Sequence, residues 1–297
     1  MGFMTNSSWS SAQLQSFDGR TVVVTGANSG LGLVTARELA RVGAHVVLAV
    51  RDTARGEAAA ATIDGDTEVR ELDLADQASI HRFAEGWSGQ LDVLVNNAGI
   101  MVPPKGTTKD GFETQFGTNH LGHFALTNLL LPHITDRVVT VASGAHHQGK
   151  IDLSDLNWET RSYERWAAYS QSKLANLLFM SELQRRLEAA GSKVRSLSAH
   201  PGYAATNLQS HAGNRLFNGV LAVGNRLLAQ DDTAGAQPTL YAVSQDLPGD
   251  SYVGPDGFME LRGKPTLVGR SKAARDTEMA RKLWTASEEL TGVKFSL

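Results

Sequence analysis

The chain has 297 residues, of which 41% are hydrophobic and 20% charged, a composition typical of a globular protein with one large α/β domain or two small ones. Its formal net charge of -3 gives no general electrostatic reason to expect nucleic acid or an anionic membrane as a partner. It has no cysteine, which excludes disulfides, thiolate metal sites and a cysteine nucleophile and fits a cytoplasmic location.

The first 15 residues predict a polar tail, and residues 16–297 predict a single domain because no Pro/Gly/Ser-rich linker divides them. The tail lacks the basic and apolar regions of a secretory signal. No apolar run approaches the roughly 20 residues that span a bilayer, so no integral membrane anchor is expected. Residues 204–230 carry few strand signals and are predicted to form a substrate-binding lid.

Short apolar, β-branched runs alternate with longer segments of helical character. The runs are 21–26, 45–50, 68–72, 92–97, 137–143 and 194–200. The helical segments include 33–43, 76–87, 110–131, 163–190, 232–245 and 271–291. This alternation indicates a parallel sheet with helices on both faces. Right-handed crossovers then predict a Rossmann-type, doubly wound α/β fold of about seven strands in the order 3-2-1-4-5-6-7.

The first strand runs into the glycine-rich stretch TGANSGLG, residues 25–32, with Gly26, Gly30 and Gly32. Glycine permits tight turns and close backbone approach, and the helix that follows offers free N–H groups to a pyrophosphate. The spacing differs from the usual dinucleotide fingerprint, and a simple strand-to-helix turn is the alternative. Its place in the first βα unit favours a nucleotide site.

The end of the second strand bears on which dinucleotide is bound. A carboxylate there would bind the ribose hydroxyls of NAD, whereas an arginine would hold the 2′-phosphate of NADP. The strand ends at Val50 and Arg51, which favours NADP(H) over NAD(H). In the competing interpretation, Asp52 binds the ribose. Asp73 and Leu74, after the third strand, are either adenine contacts or a helix N-terminal acid and a core leucine.

Tyr169 and Lys173 lie four residues apart in the segment AAYSQSKLAN, so a helix would place them on one face. A free phenol has a pKa of about 10 and is a poor acid–base group at neutral pH. A nearby ammonium favours the phenolate and would lower that pKa. Without further motifs, a solvated or half-packed pair on a surface helix is the alternative.

Five motifs in order resemble the short-chain dehydrogenase/reductase superfamily over nearly the whole chain. They are TGANSGLG, NNAG (96–99), Ser143, YSQSK (169–173) and HPG (200–202). A narrower resemblance is to the retinol dehydrogenase-like and WW-domain oxidoreductase-like branch, including its bacterial members. The segments that carry it are 116–132, 151–159, 168–179, 200–208 and 252–263.

The resemblance implies a catalytic tetrad of Asn119, Ser143, Tyr169 and Lys173. Tyr169 would exchange a proton with the substrate oxygen, Lys173 would also bind the nicotinamide ribose, and Ser143 would donate to the substrate oxygen. Asn119 would hold a water that links Lys173 to solvent, with a structural asparagine in a bent helix as the alternative.

The resemblance also implies a set of cofactor and substrate contacts. The expected cofactor-binding residues are Gly26, Asn28, Ser29, Gly30, Leu31, Gly32, Arg51, Asp73, Leu74, Asn97, Ala98, Gly99, Tyr169, Lys173, Pro201, Gly202 and Thr206. The expected substrate contacts are Ser143, Tyr169 and Tyr203.

Together these residues predict an NADP(H)-dependent oxidoreductase that interconverts a hydrophobic alcohol and its aldehyde or ketone, with Tyr169 as general acid/base. Retinoid, steroid, long-chain aldehyde and xenobiotic carbonyl substrates all fit. The alternative is a catalytically idle NADP(H)-binding sensor or scaffold, against which the complete tetrad argues.

No metal site is expected, because the adjacent His146 and His147 point in different directions. Subunit pairing through the two long helical segments is left open.

Overall fold

The computed structural model describes residues 9–202 and 231–297. Within them, eight strands form one sheet in the order β3-β2-β1-β4-β5-β6-β7-β8. The strands are β1 (Thr21–Thr25), β2 (His45–Val50), β3 (Thr67–Glu71), β4 (Leu91–Asn96), β5 (Ile134–Val141), β6 (Arg195–Ala199), β7 (Tyr252–Pro255) and β8 (Pro265–Leu267). The first seven are parallel, which confirms the predicted fold and order. The eighth, a short antiparallel strand, was not expected.

Seven helices of the described chain flank this sheet. They are α1 (Gly30–Arg41), α2 (Thr53–Ala60), α3 (Gln77–Glu85), α4 (114–130), α5 (Arg165–Ala189), α6 (Asp232–Ser244) and α7 (Thr277–Thr291). Helix α4 is interrupted by a π-helical turn, Gly117–Leu121, between α-helical Thr114–Phe116 and Gly122–Leu130. Carboxylates cap several of the helices: Asp52, Asp76, Asp231 and Asp276 accept backbone N–H groups in the first turns of α2, α3, α6 and α7.

The strands are buried on both faces, as their continuous apolar sequence requires. Successive residues of a strand point to opposite faces of the sheet. Val22 of β1 therefore packs in the cluster that contains Leu39 of α1 and Leu240 of α6. Val23 packs in the opposite cluster, which contains Ile80 of α3 and Phe124 of α4.

Part of the expected polar tail lies against the body. The Trp9 side chain is 3% exposed and meets Tyr241 of α6 edge to face, with ring centroids 5.2 Å apart. The Ser11 N–H donates to Gln237 Oε1 at 2.7 Å. The first eight residues and the expected lid at 204–230 lie outside the described residues.

Helix α7 covers the two long helices for which subunit pairing is an open expectation. Trp284 stacks on Phe179 of α5 at 5.7 Å and meets Phe124 of α4 edge to face at 4.9 Å. The His120 Nε2 and Ser287 Oγ atoms are 3.0 Å apart. The C-terminal helix of the same chain thus occupies this side of α4 and α5. Across residues 9–202 and 231–297, none of the helices has both the length and the apolarity to cross a membrane.

Candidate active site

The loop between β1 and α1 requires glycine for reasons of both conformation and space. Gly26 and Gly30 have φ angles of +66° and +57°, which side-chain-bearing residues rarely adopt. A Cβ on Gly32 would lie 2.5 Å from Asn97 Nδ2 and 2.6 Å from the Gly26 carbonyl oxygen. Because α1 follows this loop directly, its N-terminal N–H groups lie at the carboxyl edge of the sheet, where an anionic pyrophosphate fits.

Thr25 ties the NNAG segment to this loop. Its Oγ1 accepts the backbone N–H groups of Asn97 and Ala98, each at 2.9 Å. The Asn97 side chain donates to the Thr25 carbonyl oxygen at 2.8 Å. Thr25 was not among the predicted site residues, although its place at the end of the first strand was an available signal. The close approach of the two segments forms one wall of the predicted cofactor site.

Asn119 lies in the π turn of α4, is fully buried, and is held by the protein on several sides. Its Oδ1 accepts the Ile100 N–H at 2.8 Å, and its Nδ2 donates to the Ile100 carbonyl at 3.0 Å. The same Nδ2 donates to Ser172 Oγ at 2.9 Å. Asn119 therefore links the segment after β4 to α5. These contacts are those expected of a structural asparagine in a bent helix, the alternative to a water-holding residue.

Tyr169, Lys173 and Ser143 come together where β5 ends beside α5. The Lys173 ammonium lies 5.8 Å from the Tyr169 ring centroid and donates to the Val141 carbonyl at 3.0 Å. Tyr169 is hydrogen-bonded to Ser143, the residue that caps the short helix after β5. Gly99 is also adjacent, since a Cβ there would lie 3.6 Å from Lys173 Nζ. The structure thus brings the NNAG segment and the catalytic candidates together.

Burial determines how the two key groups titrate. It raises the pKa of the Tyr169 phenol to about 12, against the lowering effect of the hydrogen bond with Ser143. It lowers the pKa of the Lys173 ammonium to about 8. The pKa of Tyr169 is therefore raised rather than lowered as expected, because burial of the phenol outweighs its hydrogen bond with Ser143. At pH 7 the pair is a neutral phenol beside a largely charged amine.

Two neighbours on α5 were also missed. Ser172 Oγ accepts from Asn119 and donates to the Tyr169 carbonyl at 2.8 Å. Asn176 Nδ2 donates at 3.2 Å to the Val141 carbonyl that Lys173 also contacts. Asn176 follows Tyr169 by seven residues, so helical spacing places it on the same face and was the available signal.

The residues at the expected adenosine end divide into free and engaged groups. Arg51 is exposed and forms no ion pair within the described chain, whereas Asp52 Oδ1 accepts the Arg55 N–H at 3.0 Å. Asp73 Oδ1 accepts the Ala75 N–H at 2.9 Å, and Leu74 is 6% exposed. Asp76 rather than Asp73 caps α3.

The turn after β6 carries Pro201 and Gly202, both half-buried, at the same edge of the sheet. Gly202 has a φ angle of +70° and donates its N–H to His200 Nδ1 at 3.3 Å. The other two residues expected here, Tyr203 and Thr206, lie outside the described part of the chain.

The histidines near the tetrad are structural. Burial lowers the pKa of His120 to about 3 and that of His123 to about 4, so both are neutral at pH 7. Both ring nitrogens of His123 are engaged, with Thr25 Oγ1 at 2.9 Å and the Asn119 carbonyl at 3.0 Å. Within 9–202 and 231–297, no group of three or more His, Cys, Asp or Glu residues is arranged to hold a metal ion.

Comparison with known proteins identifies the family. The profile of the short chain dehydrogenase family matches residues 20–215. The chain belongs to this family. Human retinol dehydrogenase 13 is 44% identical over 292 residues, which cover 93% of this chain and 86% of the relative. The predicted resemblance to the retinol dehydrogenase-like branch is confirmed, and the protein is an oxidoreductase of the class that acts on CH–OH groups.

Two solved structures extend this comparison. A protein of uncharacterised function from Mycobacterium paratuberculosis is 61% identical with a TM-score of 0.86, covering 97% of this chain and 99% of that one. A protein from Beutenbergia cavernae described as an NAD(P)-dependent gluconate 5-dehydrogenase, solved with NADP bound at low occupancy, is 28% identical with a TM-score of 0.58, covering 78% of this chain and 91% of that one. The glycine loop and the edge described above suit a dinucleotide of the NAD(P)(H) type, as the family binds.

Proposed function

We propose that this chain is an NADP(H)-dependent enzyme that interconverts a hydrophobic alcohol and its aldehyde or ketone, with Tyr169 as general acid/base. The observation that carries the proposal is the group formed by buried Tyr169 and Lys173 with half-buried Ser143: a neutral phenol is hydrogen-bonded to a hydroxyl, and an ammonium lies 5.8 Å from its ring centroid. An acid–base group, a donor to the reacting oxygen and a fixed positive charge are what proton transfer to a carbonyl oxygen requires.

In the reducing direction, Tyr169 donates its proton to the carbonyl oxygen, and Ser143 hydrogen-bonds that oxygen as negative charge develops. When bound, the reduced nicotinamide supplies the hydride to the carbonyl carbon. The phenolate left on Tyr169 is stabilised by Lys173, whose ammonium is held by the Val141 carbonyl. A phenol with a pKa of about 12 is protonated at neutral pH, which is the form that the reducing direction requires.

The dinucleotide would lie along the carboxyl edge of the sheet. The loop from Gly26 to Gly32 and the start of α1 would hold the pyrophosphate, and residues 97–99 would line a ribose. Lys173 would reach the nicotinamide ribose, and Pro201 with Gly202 would approach the nicotinamide itself. Asp73 and Leu74 stay predictions for the adenine, as do Tyr203 for the substrate and Thr206 for the cofactor.

The preference for NADP(H) is supported by the different engagement of two neighbouring residues. Arg51 is exposed at the end of β2 and free to meet a 2′-phosphate, whereas the Asp52 carboxylate is used to cap α2. Asn119 would act by holding Ile100 and Ser172 in place; a water bound beside it stays a prediction. A cytoplasmic location and a homo-oligomer likewise stay predictions.

The test is consumption of NADPH and NADH, offered in parallel with retinal, long-chain aldehydes, steroid ketones and quinones. We expect wild type to consume NADPH with at least one of these, and Tyr169→Phe to lower the rate by about 10²–10⁴-fold while still binding NADPH. Tyr241→Phe, on α6, is the matched control and should behave as wild type. Turnover by Tyr169→Phe at the wild-type rate would contradict the proposal. Binding of NADPH without turnover of any substrate would favour the idle binding protein.

A further inference from the structure

The hairpin between β7 and β8 reaches back to the turn that is proposed to meet the nicotinamide. Glu260 lies near the tip of this hairpin, and its Oε2 is 3.0 Å from Nε2 of His200, the residue after β6. The His200 side chain is 2% exposed, whereas that of Glu260 is 35% exposed. The contact therefore joins a partly exposed carboxylate of the hairpin to a buried imidazole beside the proposed site.

The two contacts of His200 define which ring nitrogen carries the proton. Nδ1 accepts the Gly202 N–H at 3.3 Å, so Nδ1 is unprotonated. In the neutral ring the proton is then on Nε2, which donates to the Glu260 carboxylate. Glu260 thus selects the tautomer that can accept from Gly202. A carboxylate that orients a histidine, which in turn acts on a third group, is a recurrent device in functional sites.

Local geometry shows that this contact is built into the fold. A Cβ on Gly254 would lie 2.0 Å from His200 Nε2, so the imidazole fits only because residue 254 is glycine. Met259 and Glu260 have φ angles of +51° and +56°, a conformation that non-glycine residues rarely adopt and that persists where the surroundings impose it. The His200 ring also lies against the ring of Tyr252, with centroids 5.1 Å apart.

We propose that Glu260 is a positioning residue for the cofactor: through His200 it holds the Gly202 N–H and the Pro201–Gly202 turn in the orientation that meets the nicotinamide. The inference rests on the proposed function, which places a nicotinamide at this turn. Glu260 itself touches neither cofactor nor substrate. Its removal should leave Tyr169 and Lys173 unchanged and weaken binding of the dinucleotide.

The first test is ¹⁵N NMR of the histidine side chains in the unliganded wild type. We expect the His200 ring to carry its proton on Nε2, with Nδ1 in the unprotonated range. In Glu260→Ala, the same ring should shift toward a mixture of tautomers. His200→Asn assigns the signal. A wild-type ring protonated on Nδ1 would overturn the proposal, and this readout needs neither cofactor nor activity.

The second test is titration of NADPH by its fluorescence. We expect Glu260→Ala to raise the dissociation constant by at least about tenfold, the lower end of the effect of one charge-assisted hydrogen bond. Glu260→Gln keeps an acceptor for Nε2 and should stay within about threefold of wild type. Glu289→Ala, which removes an exposed glutamate of α7, is the matched control. Wild-type affinity in Glu260→Ala would overturn the proposal.

A double-mutant cycle separates positioning from a general structural effect. His200→Asn places an amide oxygen where Nδ1 accepts from Gly202 but is too short to reach Glu260. Adding Glu260→Ala to it should therefore weaken NADPH binding no further. An equal loss of NADPH affinity in both backgrounds would overturn the relay.

If Glu260→Ala does not fold, the His200 tautomer is measured in Glu260→Gln, and the affinity for NADPH is measured in Glu260→Gln and His200→Asn. If wild type binds no dinucleotide, the proposed function fails together with this inference, whereas wild-type binding with an unaffected variant overturns this inference alone.

Discussion

The two halves of the candidate site consist of different kinds of chemical group. The cofactor half, which comprises loop 25–32 with the start of α1 and the segment 96–99, consists of glycines and backbone groups in close contact. The catalytic half, which comprises the π turn of α4, the end of β5 and the first turns of α5, consists of mostly buried polar side chains that hydrogen-bond one another and the backbone. In the proposed function, the cofactor half would recognise the dinucleotide by its shape and its N–H groups, whereas the catalytic half would act through side-chain chemistry.

The difference extends to electrostatics. Loop 25–32 contains no titratable side chain, so its structure should be insensitive to pH. In the catalytic half, burial shifts the pKa of Tyr169 upward to about 12 and that of Lys173 downward to about 8. His123, equally buried, has a pKa of about 4 and is neutral with both nitrogens engaged. Burial thus makes the histidine a structural residue and leaves the lysine charged at a cost in stability.

The largest effect on the cofactor half is expected from Gly32→Ala. The new methyl group would lie 2.5 Å from Asn97 Nδ2 and 2.6 Å from the Gly26 carbonyl, so the loop and segment 96–99 must separate. We expect at least about tenfold weaker NADPH binding and a loss of about 1–3 kcal/mol in the free energy of unfolding. Gly269→Ala has open space around its Cβ and serves as control. Wild-type affinity in Gly32→Ala would show that the loop does not need this close approach.

Arg51→Ala tests the expected adenosine end of the cofactor half. There, one charged side chain is proposed to bind the dinucleotide in addition to the backbone groups. Loss of a charge-assisted contact with a 2′-phosphate should weaken NADPH binding by about tenfold and leave NADH binding unchanged. The measurement is the ratio of the two dissociation constants. Arg55→Ala, one turn into the exposed start of α2, is the control. A parallel loss for both dinucleotides would contradict a role in selectivity.

A smaller effect is expected from Ser172→Ala in the catalytic half. It removes a hydroxyl that accepts from Asn119 and donates to the Tyr169 carbonyl, leaving Asn119 with its two contacts to Ile100. We expect a loss of about 1 kcal/mol in stability and less than about tenfold in turnover. Thermal unfolding and the NADPH assay together measure this. A loss as large as that of Tyr169→Phe would mean that Ser172 takes part in proton transfer.

The parts of the fold that depend on short-range patterns were predictable. Apolar runs at regular spacing indicated the parallel sheet, and the spacing of Tyr169 and Lys173 indicated a shared helical face. The sign of the Tyr169 pKa shift was not predictable, because it depends on how completely the tertiary fold buries the phenol. The π turn at Asn119 was also beyond sequence patterns, since contacts to Ile100 and Ser172 accompany it. The same holds for β8 and for the contact between His200 and Glu260, which are distant in sequence.

The most direct test of the account is to compare stability and activity in Lys173→Met. The pKa of Lys173 in the folded chain is about 8 against a usual 10.5, so the unfolded chain holds this proton more tightly. The resulting penalty on wild type is therefore fully present below about pH 8 and shrinks as the pH rises toward 10.5. The Val141 carbonyl keeps its bond from Asn176 in the variant.

At pH 7 we expect Lys173→Met to lose turnover by at least about 10²-fold and to be more stable than wild type by up to about 3 kcal/mol, with the gain declining above pH 8. Lys150→Met, at an exposed lysine, is the control and should change neither quantity. A variant that is less stable than wild type at pH 7, or that turns over at the wild-type rate, would contradict the claim that the catalytic half retains a buried charge for chemistry at the expense of stability.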